Sequence, residues 1–297
     1  MNNFNEYMLT IAIPTYKRPK YLFQAIDSAV NQSDKSIKYE ILVLNNDPDS
    51  DMTALMKKYE NADVEIRFIT NEKNLGMLGN VNRCLELAKG RYIAYLHVDD
   101  LLLPDYLLSV GKMLRPECDY VCLVPQRYML FEEGMRSSLE IKRKIKRMLL
   151  GLVPKRHFNK KELYPITVED NIFSWQNCYG APSCGVVFKK EIVRKYGLFF
   201  PEGTYSWDLI SFMELNRHEK IYIIPKPLSV YRMTSGASLR GEVQLDFFKV
   251  YEQLRLEMLN DSVCSGFVRH YSDEIAYLNY SLLNKEAEKL TENEHLQ

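Results

Sequence analysis

Glycine-rich phosphate loops are missing from this chain. No GxGxxG follows the first apolar run, so the dinucleotide fingerprint is absent, and no GxxxxGK[ST] occurs, which excludes a P-loop. Net charge is missing as well. Lys+Arg and Asp+Glu both number 39, so nothing global argues for nucleic acid or a membrane, and electrostatic partners must be read from local clusters. The six cysteines (Cys84, Cys118, Cys122, Cys178, Cys184 and Cys264) form no CxxC and lie scattered, unlike a metal site. They read as reduced, mostly buried thiols in a cytosolic compartment. No stretch reaches the about 18 uninterrupted apolar residues of a membrane span. MNNFNEYMLT lacks the basic n-region and apolar core of a signal peptide. Tryptophan is scarce, 2 residues against 20 tyrosines; tyrosine suits sugar stacking but suits strands equally, so the excess decides nothing.

What is present is the alternation of a globular α/β chain. The 297 residues, 46% hydrophobic and 26% charged, suffice for one large domain or a domain with an appendage. MLTIAIP (8–14) is a short apolar strand, and PKYLFQAIDSAVNQ (19–32) puts Leu22, Ala25, Ile26, Ala29 and Val30 on one helical face. YEILVLNND (39–47) is a second buried strand. DSDMTALMKKYENA (49–62) reads as a helix capped by Asp49 or Ser50. VEIRFIT (64–70) is a strand, GMLGNVNRCLELAKG (76–90) a helix stopped by Gly90, and RYIAYLHV (91–98) a strand. PDYLLSVGKMLRP (104–116) is a helix and DYVCLVP (119–125) a strand. Such alternation predicts a mostly parallel sheet with helices on both faces and ligands bound outside the carboxyl ends of its strands.

Those ends are polar: Pro14-Thr15-Tyr16, Asn45-Asn46-Asp47, Thr70-Asn71 and His97-Val98-Asp99-Asp100. Two adjacent carboxylates ending a buried strand require either water or a cation. In the first turn, PTYKRPKY, Lys17, Arg18 and Lys20 stand at a helix start, where basic side chains suit a phosphate and equally suit a solvated turn.

IAIPTYKRPKYLFQAIDSAVNQ, YEILVLNND, NLGMLGNVNRCLELAKGRYIAYLHVDD and LLLPDYL, in this order, resemble the family-two glycosyltransferases of GT-A fold. GAPSCGVVFKKEIVRKYGLF and SWDLISFMELNRHEKIYIIPKPLSVYR resemble the acceptor half of the same domain. The resemblance implies a Rossmann-like sheet over 1–240, with a donor half at about 8–125, a variable basic segment at 132–165, an acceptor half at 166–240 and a helical extension at 241–297. It implies a nucleotide-sugar donor, expected to be UDP-linked, and a divalent cation, Mn²⁺ or Mg²⁺, on a DxD-type motif. A hard cation held by carboxylates stabilises the charge that builds on a departing diphosphate. Here the motif reads His97-Val98-Asp99-Asp100, so Asp99 and then Asp100 are the expected metal ligands, while His97 is a candidate for ribose or phosphate contact, with a histidine packed under the sheet edge as the lesser alternative. Pro14, Thr15, Tyr16, Arg18, Asn45, Asp47, Asn74, Gly76, Asn80, Asn82, His97, Val98 and Asp99 are the implied donor contacts. Asn45 stands where the family usually has an Asp that reads the base, which leaves base identity open.

In TYSWDLISFM (204–213) the resemblance implies Asp208 as general base of an inverting reaction, with Trp207 in place of the usual acid. Its bland alternative is an acid that complements the helix dipole. Trp207 and Trp175 are the candidate sugar-stacking residues on the acceptor side. The family often carries a His after YR; this chain reads Tyr231-Arg232-Met233-Thr234-Ser235 without it. KRKIKRMLLGLVPKR (142–156) either lies on an anionic membrane surface or packs on its own domain with a solvated basic face. Residues 244–290 read as two amphipathic helices that cover the sheet, form a homodimer contact or shape the acceptor site. The implied setting is a bacterial surface-polysaccharide pathway at the cytoplasmic face, with a glycan or lipid-linked glycan acceptor and no nucleic acid. A non-catalytic sugar-nucleotide or glycan binder of the same fold is the competing reading, and a nucleotidylyltransferase lacks support because PTYKRPKY has no glycines.

Overall fold

The computed structural model describes residues 7–115, 118–131, 162–168, 170, 183–197, 204–233 and 241–260. The donor half starts with β1 (Leu9–Thr15), α1 (Pro19–Val30), β2 (Tyr39–Asn45), α2 (Thr53–Lys58), β3 (Glu65–Thr70), α3 (Gly76–Leu87) and β4 (Tyr92–Tyr95). A two-residue β5 (Leu101–Leu102), α4 (Tyr106–Gly111) and a long β6 (Cys122–Phe131) follow. Beyond them come β7 (Tyr164–Ile166), β8 (Val187–Lys189), α5 (Lys190–Lys195), α6 (Trp207–His218), β9 (Ile221–Met233) and α7 (Gly241–Asn260).

The nine strands among the described residues join one mixed sheet in the order β3-β2-β1-β4-β8-β6-β9-β5, with β7 on β9. β1 to β4 pair in parallel, as the alternation requires. β8 inserts antiparallel between β4 and β6, so the acceptor half is built into the same sheet as the donor half. The parallel strands read as unbroken apolar runs because both faces are covered. Leu9, Ile11 and Ile13 point to α1, α2 and α4, whereas Ala12, Leu42 and Tyr95 point to α3, α6 and α7. Each fully buried aliphatic side chain in these two layers contributes about 1.5–3 kcal/mol.

Several boundaries differ from the sequence expectation. Asp49 and Ser50 do not cap α2: the helix starts at Thr53, and Asp51 Oδ1 accepts the Thr53 N–H at 2.8 Å. α4 is shorter than 104–116, and β6 runs six residues past Pro125. Gly90 is not the stop of α3, which ends at Leu87 with Ala88 already extended. A glycine is needed there because a Cβ would stand 2.5 Å from the Thr10 backbone nitrogen and 2.6 Å from the Tyr92 carbonyl oxygen. α7 is the first of the two expected C-terminal helices and packs Phe247, Val250, Tyr251 and Leu254 against the layer that holds α6. The second helix, Trp175, Thr234 and residues 142–156 lie outside the described residues.

Candidate active site

Parallel pairing brings the ends of β1, β2, β3 and β4 to one edge, and short-range hydrogen bonds shape that edge. Asn46 N–H donates to the Thr15 carbonyl at 2.9 Å, and Asn71 N–H to the Asn45 carbonyl at 2.9 Å. Asn46 is the hub: its Nδ2 donates to Asn74 Oδ1 (2.8 Å) and the Gly76 carbonyl (3.0 Å), while its Oδ1 accepts from Asn71 Nδ2 (3.0 Å) and Leu75 N (2.9 Å). Asn80 joins through Asn71 Nδ2 at 2.8 Å and donates to the Leu44 carbonyl at 3.2 Å. Asn80 and Asn74 therefore hold the loop together, and Asn80 is buried. Asn45 is also committed: Nδ2 donates to the Asp47 carbonyl (2.8 Å) and Oδ1 accepts the Asp47 N–H (3.1 Å), an Asx turn that sets the direction of Asp47. Gly76 takes φ 73°, a conformation suited to glycine. Half-buried Asn82 keeps an Oδ1 without a hydrogen-bond partner among the described residues. Asn46, absent from the expected site, organises it.

The first turn reaches the acidic motif. Lys17 at φ 52° turns the chain out of β1, Pro14 and Thr15 end the strand, and Tyr16 stays exposed under the Lys17 ammonium. Arg18 comes to 3.6 Å from Asp99 Oδ2. The neighbouring carboxylates then separate in role. Asp99 retains 24% side-chain exposure, and Val98 beside it is half-buried. Asp100 is closed from solvent at 0% exposure; its Oδ1 accepts the Arg232 N–H at 2.9 Å, and its Oδ2 is buried with no hydrogen-bond partner among the described residues. Burial, reinforced by Asp99, pushes Asp100 up to about 7 against the pull of the Arg232 N–H. Asp100, expected as the second metal ligand, thus ties the end of β4 to β9 through one oxygen, and its other oxygen is enclosed.

His97 Nε2 lies 3.0 Å from Ser183 Oγ. Burial holds its imidazole below the ordinary value, opposed by Asp99 and aided by Arg127. Ser183 belongs to the turn before β8, where Gly185 N–H donates to the Tyr95 carbonyl at 2.8 Å and φ 72° requires glycine. Arg127 was not legible from the sequence. A register irregularity at Pro125, Gln126 and Arg127 re-aims β6 opposite β9, and Arg127 pairs with Ser229, whose hydroxyl donates to the Cys184 carbonyl at 3.3 Å. The Arg127 charge bears on His97, Asp100, Cys184 and Asp208.

Asp208 stands in the first turn of α6, its Oδ1 accepting the Leu209 N–H at 2.8 Å. Burial pushes it up to about 6, with the Leu209 N–H and Arg127 pulling the other way. Trp207 beside it is only 3% exposed and meets Tyr95 edge-on at 6.4 Å between ring centroids. Trp207, expected to stack on sugar, is here a buried side chain that docks the start of α6 against β4, two residues before His97. Arg232 places its guanidinium over Tyr21 (4.9 Å) and on Gln24 Oε1 (2.8 Å).

No group of three or more His, Cys, Asp or Glu side chains placed to hold a metal ion occurs among the described residues. The fit to a hard cation is through Asp99 alone, with the remaining positions left to phosphate oxygens and water, which is the way Mg²⁺-type ions are commonly held. No described helix is long and apolar enough to cross a membrane.

A parallel half ending in a polar, acidic edge, continued by antiparallel strands and a carboxylate-bearing helix, is the architecture of GT-A glycosyltransferases. The chain belongs to glycosyl transferase family 2, whose family model matches residues 10–197. It is 34% identical over 128 residues to an uncharacterised glycosyltransferase of Methanocaldococcus jannaschii, covering 43% of this chain and 44% of the relative. It is 22% identical over 236 residues to the Escherichia coli UDP-Glc:alpha-D-GlcNAc-diphosphoundecaprenol beta-1,3-glucosyltransferase WfgD, covering 74% of this chain and 92% of that protein. In fold it is similar to S. aureus TarS 1-349 in complex with UDP-GlcNAc (TM-score 0.62, 18% identity, 91% of this chain and 70% of that one). The mannosyltransferase PcManGT of Pyrobaculum calidifontis, solved with GDP-Man and Mn²⁺, gives a TM-score of 0.59 at 15% identity over 98% of this chain and 76% of its own. The matched family span ends before Asp208.

Proposed function

We propose that the protein transfers a sugar, with inversion, from a UDP-linked donor to a hydroxyl of a lipid-linked glycan, with Asp208 as general base. The observation that carries this reading is the docking of the α6 start onto the end of β4: Trp207 packs on Tyr95, and one Arg127 charge is felt by both Asp100 and Asp208. On this reading a half-buried, ionisable carboxylate works beside Asp99. The carboxylate takes the acceptor hydroxyl proton as its oxygen attacks the anomeric carbon, and the bond to the diphosphate breaks with its electron pair leaving on UDP. Arg18 holds Asp99 and places a positive charge beside the position of that diphosphate. A divalent cation, when bound at Asp99, would neutralise the diphosphate charge. The lipid-linked acceptor is carried over from the activity of the E. coli relative, and the nucleotide from it and from the TarS complex.

The reading is tested by melting the protein with UDP-glucose, UDP-GlcNAc, GDP-mannose and free UDP, with and without Mn²⁺. One donor is expected to stabilise the fold, more strongly with metal. Asp99→Ala should weaken that metal-dependent donor binding by about tenfold or more, equivalent to about 1.4 kcal/mol, while leaving the protein folded, because Asp99 is partly exposed. Equal stabilisation of wild type and Asp99→Ala by donor plus Mn²⁺ would remove Asp99 from the site.

A pH profile provides a separate check. Asp208 must be ionised to accept a proton, and its value is raised to about 6, with Arg127 the facing charge that opposes the rise. Turnover at saturating donor should therefore fall with falling pH through about 6, rather than through the ordinary carboxylate range near 4. An acid limb near 4 would mean either an exposed Asp208 or another base.

A further inference from the structure

The helix α7 lies outside the matched family span, yet one of its side chains grips the approach to the candidate base. Asp246 Oδ2 accepts three hydrogen bonds: from Thr204 Oγ1 at 2.8 Å, from the Tyr205 N–H at 2.9 Å and from Ser206 Oγ at 2.7 Å. These three residues immediately precede Trp207 and Asp208. Ser206 is the N-cap of α6, a position at which serine ordinarily accepts a first-turn N–H of its own helix. Here it makes no such cap bond; its hydroxyl is turned outward to Asp246. The loop is closed further by the Ser206 N–H on Thr204 Oγ1 at 3.0 Å. Hydrogen bonds to an ionised carboxylate are about twice as strong as neutral ones, so three on one oxygen fix the backbone that leads into α6.

We propose that Asp246 is the positioning residue of the catalytic helix: by holding Thr204, Tyr205 and Ser206 it sets where the Asp208 carboxylate stands. The inference rests on Asp208 being the base. It makes the C-terminal helix part of the active site. The apolar contacts of Phe247, Val250, Tyr251 and Leu254 hold α7 in place independently, so removing Asp246 should free the loop without unfolding the chain. A misplacement of about 1 Å at a catalytic group is enough to cost about a hundredfold in rate.

The test uses Trp207 as the reporter in full-length protein: quenching is read with Trp175→Phe as the parent, and turnover with the unaltered protein as the parent. Asp246→Ala is expected to raise acrylamide quenching of Trp207 at least about twofold and to lower the turnover of UDP release from UDP-glucose with Mn²⁺ by about 10- to 100-fold, with donor KM within about twofold. Asp246→Asn keeps an accepting oxygen and should restore most of both readouts. Quenching and turnover of Asp246→Ala both within twofold of the parent would overturn the proposal. So would freed Trp207 with unchanged turnover in a protein that Asp208→Asn inactivates. An Asp208→Asn protein that still turns over would instead remove the base assignment on which the inference rests. If Asp246→Ala does not fold, Ser206→Ala and Thr204→Val, each removing one donor, should reproduce the loss of turnover at unchanged donor KM; normal turnover in both would overturn it.

Discussion

Asp208→Asn should lower transfer by about 10²–10⁴-fold, the range that general-base catalysis supplies, with donor-induced stabilisation unchanged. Asn keeps the shape and can still accept the Leu209 N–H that Asp208 Oδ1 now takes, so α6 should start in the same place. What is lost is the ability to take a proton. The stability consequence has the opposite sign. Burial raises the folded-state value of Asp208 to about 6, above that of an unfolded carboxylate, so its stabilising contribution is present at low pH and lost as pH rises through about 6. At pH 8 the charge is buried at a cost, and the neutral Asn variant should melt at the same temperature or higher. Loss of activity without loss of stability marks a group retained for chemistry. Turnover that survives the substitution, measured as UDP release, would transfer the role to another carboxylate or return the protein to the binding-module reading.

The donor half was largely legible. Short apolar runs for the strands and a 3.6-residue apolar period for the helices placed β1, α1, β2, β3, α3 and β4 within a few residues, because the inner strands are covered on both faces and each helix on one. The common polar edge followed from parallel pairing alone. The side-chain roles were less legible, since hydrogen-bond partners distant in sequence decide them. Asn45 and Asn80 read as open donor contacts, but their amides are consumed by Asp47, Leu44 and Asn71. Asp99 and Asp100 are adjacent carboxylates in sequence; Asp100 is enclosed and accepts an N–H from Arg232, 132 residues away, which no local pattern reveals. Trp207 reads as a sugar-stacking aromatic from its place beside Asp208 in TYSWDLISFM, but the indole is buried against Tyr95. Arg127 escaped notice for another reason: a register irregularity in β6, which no periodicity reveals, aims it at the site.

Glu40→Ala should destabilise the fold by about 3–5 kcal/mol, the cost of stripping a buried charge of its partner. Within YEILVLNND the residue reads as one polar position in an apolar strand, and the structure closes it completely, at 0% exposure. Its Oε1 accepts from Thr10 Oγ1 and the Lys89 N–H, both at 2.7 Å, and its Oε2 pairs with Arg67 at 3.1 Å. Thr10 Oγ1 in turn accepts the Gly90 N–H at 2.9 Å, and Arg67 donates to the Leu87 carbonyl at 2.9 Å. One carboxylate thus joins β1, β2, β3 and the turn between α3 and β4 at the edge opposite the site. Alanine would leave a guanidinium, a hydroxyl and a backbone N–H without their acceptor. Glu40→Gln keeps one oxygen for Thr10 and Lys89 and loses the charge on Arg67, so it should cost less than half as much. Urea unfolding of the two variants separates the contributions: equal losses would assign the effect to packing, and an unperturbed Glu40→Ala would mean that the three donors find water. Because β1 and β4 are the strands that present Arg18 and Asp99, slack at this edge should also reach the site, as weaker donor binding in Glu40→Ala at temperatures well below its melting point.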